Sequence, residues 1–197
     1  MNNTLRNFNI KKLSLFALIC GLSLFDLSAQ NSLVWHFGQK GMLDFRDGSG
    51  GVTEFPDGTC GPTMSTSEGS SGYTQSDGKE VFYTDGRTVY YPNGDVMADN
   101  FKGDPSSSSS AIIVKSVNPL TPDYYYMFNV SGTSGGSLSQ KVHYSILDFS
   151  DPLNATVVLK DKALADGVLT EKMTVIPKTG AVGYWILTVS YTHLRAF

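Results

Sequence analysis

Apolar and polar positions along the chain follow the pattern of short strands. Beyond residue 30 no segment sustains apolar residues at the 3.6-residue spacing of an amphipathic helix, so helix is expected to be scarce. Short runs of β-branched and aromatic residues alternate instead with turn-forming pairs. The clearest stretch is 67–97. There Asp77-Gly78, Asp85-Gly86 and Asn93-Gly94 each offer a glycine that tolerates the positive φ of two-residue hairpin turns. Between them lie EVFYT at 80–84 and TVYY at 88–91, so the stretch reads as an antiparallel meander of three short strands.

The rest of the chain repeats this unit. Strands are predicted at 111–115 (AIIVK), 124–130 (YYYMFNV), 142–149 (VHYSILDF) and 155–160 (ATVVLK), then at 172–177 (KMTVIP) and 184–189 (YWILTV). Before the first unit, Val34, Trp35 and Phe37 suit an edge strand, and residues 46–51 and 53–62 read as loops. The serine run at 106–110 reads by composition as a flexible connector. Thr84, Asn129 and Thr188 fall at equivalent places in the second strand of each unit, 45 and 59 residues apart. A period near 45 with about four strands per unit is the signature of a propeller blade. AIIV, YYYMF and YWIL are apolar on both faces, so both faces must be covered; sandwich strands alternate more cleanly. The expected fold is therefore all-β, an incomplete β-propeller of about two and a half four-stranded antiparallel blades spanning 30–188.

The N-terminus reads as a targeting segment, not as part of the fold. Arg6, Lys11 and Lys12 precede an apolar run at 13–25, which is short for a membrane span. Leu27-Ser28-Ala29 before Gln30 fits a signal-peptidase site. Residues 1–29 are thus expected to be removed on export, leaving no stable membrane span and a secreted or cell-surface protein. The full chain of 197 residues carries a net charge of −3. Losing three basic residues and Asp26 from the 15 basic and 18 acidic ones leaves 12 and 17, a net charge of −5. That balance, with no basic cluster, argues against a nucleic-acid partner. Only Cys60 survives cleavage, so no intrachain disulfide is expected, and a lone cysteine of this kind reads as a small buried hydrophobe.

Candidate chemistry is sparse. His36, His143 and His193 are scattered, and no metalloprotease, paired-cysteine or nucleophile-elbow motif occurs. No cofactor or metal is expected. Asp44 and Asp47 form the best local set of oxygen ligands, but an acid before glycine is ordinary turn chemistry. Glu68 and Glu171 sit just before the first strands of units one and three, with Ser109 at the matching place in unit two. If those strands line a central channel, the two carboxylates are candidates for its mouth, where they could bind a cation or act as acid and base. The plainer reading is solvated acids or hydrogen bonds to a neighbouring blade. The tyrosines at 90–91 and 124–126 suit stacking on sugars or a protein partner, or packing between sheets.

Taken in order, WHFGQKGMLDF at 35–45, the stretch 66–97, SSSSSAIIVK, DYYYMFNV, HYSILDF, LTEKMTVIPK and GYWILT resemble the N-terminal propeller-like region of secreted, gliding-motility-associated proteins of Bacteroidetes. The resemblance covers about 35–188 and lies in the ordered set of motifs. It implies a substrate of the type IX secretion route, in which such a region precedes immunoglobulin-like repeats and a sorting domain. Lys115 departs from the proline usual after I-I-V in that family. Residues 189–197 resemble a translated sequencing linker and are expected to be a non-native tail that packs poorly or merely extends the last strand. The expected function is a surface binding or adhesion module without catalysis, its partner a glycan or surface protein. The alternatives are a fragment of a glycan-active hydrolase or lyase using Glu68 and Glu171, or a structural spacer in a large adhesin. Mass spectrometry of protein exported from an expressing cell is expected to find the mature N-terminus at Gln30; a retained segment 1–29 would refute the cleavage.

Overall fold

The computed structural model describes residues 33–46, 53–54, 64–131, 141–165, 169–180, 182–190 and 193–197. The signal segment with Ala29 and Gln30, Cys60, and the turn acid Asp47 lie outside the described residues. The described residues form fourteen strands and no helix. They make four antiparallel sheets, each built from strands consecutive in the chain. The first comprises β1 (Val34–Phe37), β2 (Gly41–Asp44) and β3 (Thr53–Glu54). The second comprises β4 (Ser71–Thr74), β5 (Glu80–Thr84), β6 (Val89–Tyr90) and β7 (Val96–Ala98). The third comprises β8 (Ala111–Lys115), β9 (Tyr124–Val130), β10 (Val142–Asp148) and β11 (Thr156–Ala165). The fourth comprises β12 (Leu169–Pro177), β13 (Tyr184–Ser190) and β14 (His193–Ala196).

Four successive meanders thus replace the expected two and a half. The segment before the first unit is a sheet of its own, whose β2 was hidden by its turn. That turn places Gly38 at φ 56° and Lys40 at φ 63°, the second on a residue that announces no such geometry. The suspected linker residues do extend the last sheet, as β14 paired along β13.

Successive sheets stack through three cores. Met64, Tyr83 and Tyr90 pack between the first and second sheets. Phe82, Phe101, Ile113, Tyr125, Met127 and Phe149 pack between the second and third. Ile112, Val114, Val130, Met173 and Ile186 pack between the third and fourth. The first strands of the sheets neighbour one another in chain order, β1 against β4, β4 against β8, and β8 against β12. Thr84, Asn129 and Thr188 all lie buried in the second strands, opposite Ser71, Ala111 and Met173 of the first strands, which bears out their equivalence. Strand β8 is buried on both faces, as its run of apolar residues requires. Strand β13 is not, because no described sheet lies beyond it, and Trp185 is 44% exposed.

The turns follow a different rule from the one expected. Gly78 N–H donates to Gln75 O and Gln75 N–H to Lys79 O; Gly94 and Tyr91 repeat the arrangement with Tyr91 O and Asp95 O. Among the described non-glycine residues only Lys40, Asn100 and Asp161 have positive φ, so Asp77 and Asn93 keep negative φ. These are three-residue loops in which a lone left-handed glycine closes a type I turn. At Asp85-Gly86 the side chains do the work instead: Asp85 Oδ1 accepts from Arg87 and Thr88 N–H, and Thr84 Oγ1 accepts from Gly86 N–H while donating to Thr88 O.

The serine run is not a flexible connector. Ser107 and Ser110 are buried, and the segment is sewn to the start of the second sheet. Pro105 O accepts from Ser67 N–H, Glu68 N–H and the Thr66 hydroxyl, and Ser107 O accepts from Gly69 N–H. Composition misleads here because small side chains also permit close backbone packing. A Cβ on Gly86 would collide with Ser110 O, one on Gly69 with Ser107 O, and one on Gly103 with Gly86 O. Gly86 also has φ +85°, whereas Gly78, at φ +84°, faces open space. Gly86→Ala is expected to cost about 2–4 kcal/mol through strain plus collision, and Gly78→Ala about 1 kcal/mol, both read by urea denaturation. Equal costs would show that the contact at Ser110 carries no weight.

Candidate functional site

Two places concentrate side-chain chemistry. The first lies where β1 meets the second sheet. Alternation along β1 turns Val34 and His36 inward and leaves Trp35 55% exposed. His36 Nε2 meets Glu80 Oε1 at 2.6 Å, with both side chains almost wholly buried. The imidazole stacks on Tyr83 at 3.7 Å between ring centroids, and Tyr83 stacks on Tyr90 at 5.1 Å. His36 Nδ1 is buried without a hydrogen-bond partner among the described residues. The His36 carbonyl accepts from the Ser70 hydroxyl, and Leu33 N–H donates to Thr74 Oγ1 at 3.2 Å. A cleft of about 340 Å³ runs beside the pair between β1 and Ser70, Ser71 and Gly72.

Glu80 reaches His36 because the ladder is irregular. Tyr73 pairs with Phe82, but Thr74 pairs with Glu80, so Val81 is bulged out. A one-residue bulge reverses the facing of what precedes it. Phe82 faces the third sheet, where it stacks on Phe149 at 4.8 Å. Strict alternation would send Glu80 the same way; the bulge sends it to the first sheet instead. Beside the pair, Arg46 bonds Asp44 through its side chain and holds that carboxyl below the usual aspartate range. That contact is the structural use of Asp44, which the sequence offered together with Asp47 as a set of oxygen ligands. No group of three or more metal-ligating side chains occurs among the described residues.

The second place is a groove of about 180 Å³ at the end of β8, between the third and fourth sheets. Tyr126, Phe128 and Tyr184 line it, with Lys115, Ser116 and Val117 at one side. Tyr126 and Phe128 are near-parallel, 6.5 Å apart and 17° inclined, and Tyr144 continues the set 6.1 Å from Phe128. Along β9 the tyrosines divide by parity: Tyr124 and Tyr126 are half-buried, whereas Tyr125 is fully buried. Burial is the main cause that pushes the Tyr125 phenol up to about 12.

The acids singled out in the sequence lie elsewhere. Glu68 is exposed before β4, tied by its backbone to Pro105. Glu171 lies within β12, two residues past its start, and its Oε2 accepts from Ser108 N–H at 3.3 Å. Segment 105–108 therefore touches the backbone of one acid and the side chain of the other, and no contact joins the two carboxylates. Among the described residues no helix is long and apolar enough to cross a membrane.

No protein-family model, curated protein or solved structure matches the chain.

The His36–Glu80 pair joins two sheets rather than facing solvent, so its first consequence is structural. Removing one member of a buried hydrogen-bonded pair leaves the other unsatisfied, at about 1–3 kcal/mol. Glu80→Ala is expected to cost that much, read by chemical denaturation. The double variant His36→Phe with Glu80→Leu is expected to recover most of it, because a ring still stacks on Tyr83 and no polar group is left unpaired. Additive losses in the double variant would show that the two residues do not act as a pair.

Proposed function

We propose that the chain is a propeller-type, non-catalytic binding module, exported by a cleaved signal segment and displayed at the cell surface or released. In this reading it is part of a gliding-motility-associated protein of the type IX secretion route. The carrying observation is the order of the first strands, each lying against the next sheet's first strand with a core between each pair of sheets. Radial stacking of meanders produces that order, and it leaves ligand-sized recesses between sheets, as at β1–β4 and β8–β13. The buried His36 and Glu80 serve the stacking, and Glu171 spends its carboxylate on Ser108. Those engagements favour binding over the alternative of a glycan hydrolase or lyase built on Glu68 and Glu171.

The test is an array of oligosaccharides and purified surface proteins, followed by mass analysis of every retained ligand. Retention with the ligand's mass unchanged is the expected outcome. Cleavage of a retained glycan that disappears in Glu68→Gln or Glu171→Gln would overturn the non-catalytic reading in favour of the enzyme. Retention of nothing would leave a structural spacer as the better description.

A further inference from the structure

We propose that the two outer sides of the stack dock on one another between copies, so that two copies of the chain close a ring of eight sheets; this rests on the propeller-type reading. Within the chain every joint has the same polarity. The first sheet turns His36 toward Tyr83 of the second, and the second turns Phe82 toward Tyr125 of the third. The third turns Ile112 and Val114 toward Met173 and Ile186 of the fourth. Each joint thus unites the side of one sheet that looks forward along the chain with the backward-looking side of the next. Two sides are left over, and they are of opposite kinds: the backward side of the first sheet and the forward side of the fourth. Pairing them between copies continues the three joints already present and needs no new kind of contact.

Both leftover sides carry large apolar residues. On the first sheet Trp35 lies opposite Leu43 across β1 and β2, with its ring 5.1 Å from that of Phe45. Phe37 is 43% exposed on the same side. On the fourth sheet Ile176 lies opposite Trp185 across β12 and β13, and Ile176 is 47% exposed. Contiguous exposed apolar residues mark interaction surfaces, and aromatic residues are enriched at the centre of such interfaces. Lys178, whose ammonium lies 4.3 Å from the Trp185 ring centroid, has a flexible stem that can carry its charge to the rim.

A surface that fits a different surface of the same molecule makes a heterologous contact, which closes into a ring or runs on as a filament. The number of sheets selects a ring of two copies. Propellers typically close with about four to eight blades. One copy supplies four sheets and leaves both outer sides exposed, whereas two supply eight and three exceed the range. No chain crosses a joint between copies, so the end sheets still open before the inner ones.

The experiment is analytical ultracentrifugation of the full chain as exported, of Phe37→Glu, of Ile176→Glu, and of an equimolar mixture of the two variants. Thermal unfolding checks that each variant folds. Leu33→Glu and Thr174→Glu, at exposed positions on the same two sides, stand in for a variant that does not. The native chain is expected at twice the monomer mass. Either variant alone is expected at the monomer mass, because one glutamate then falls in each of the two joints and loses its water there. The mixture is expected to regain the double mass, since one of its joints unites two unaltered sides, but at higher concentration because that joint acts alone. A native chain at the monomer mass throughout would overturn the proposal. Masses that climb steadily with concentration would overturn the ring in favour of a filament. Dissociation by only one of the variants, with no recovery on mixing, would overturn the pairing of opposite sides in favour of like sides docking. The array described above decides the binding-module reading separately, so a monomer that still retains a ligand would refute the ring alone.

Discussion

The structure depends on one constraint: its inner sheets are apolar on both faces, and such a sheet cannot stand alone in water. Ala111–Val114 illustrates it. Ile113 enters the core shared with the second sheet, and Ile112 and Val114 enter the core shared with the fourth. Each fully buried side chain of this size is worth about 1.5–3 kcal/mol. Uncovering one face of the third sheet would therefore forfeit an amount comparable to a domain's whole net stability of about 5–15 kcal/mol. Stacking is a condition for the sheets to exist, and cooperativity must run along the stack.

Close stacking in turn requires small residues where backbones meet. Gly69, Gly86 and Gly103 face the segment 105–110 or one another with no room for a Cβ. The same contact carries the polar bonds between the second and third sheets: Pro105 O and Ser107 O toward residues 66–69, and Asn129 Nδ2 donating to Gly86 O at 3.2 Å. Further out the sheets are tied by Tyr91, whose hydroxyl accepts from Ala155 N–H, and by Lys160, whose ammonium donates to Asp99 O. The join between the first two sheets uses the buried His36–Glu80 hydrogen bond instead. A pair of that kind specifies a partner more than it stabilises one, because both groups lose water on docking. Its position is consistent with a role in fixing how the first sheet seats on β5.

Most of the strands were legible, and for a clear reason. Ala111–Lys115 and Tyr124–Val130 are read from the sequence with their observed bounds, because their runs of β-branched and aromatic residues end abruptly at polar or proline-containing turns. The equivalence of Thr84, Asn129 and Thr188 was legible from their place within those runs. Strands β2, β3 and β7 were not, being two to four residues long with no periodicity to detect. The serine run was misread because composition records what a segment is made of, not what it packs against. Among the site residues, the acids chosen by position did not meet, and the pair that does meet was hidden by a bulge. Period-2 reading assigns Glu80 to the face of Phe82, and only the unpaired Val81 reverses it.

The two ends of the stack show what the same physics leaves undone. Leu33, Trp35 and Phe37 alternate along one face of the first sheet, and all three are exposed. Ile176 and Trp185, paired across β12 and β13, are exposed on the fourth. Inside the stack, residues of this kind lie in the three cores; at its ends they do not. Lys178 covers the Trp185 ring at 4.3 Å from its centroid, a partial cover worth about 0.5–1 kcal/mol at an exposed site. That is less than burial of a large apolar side chain contributes. The end sheets are therefore the least stabilised part of the stack. Hydrogen exchange should open β1–β2 and β13–β14 before β5 or β9, since local opening follows the density of buried contacts.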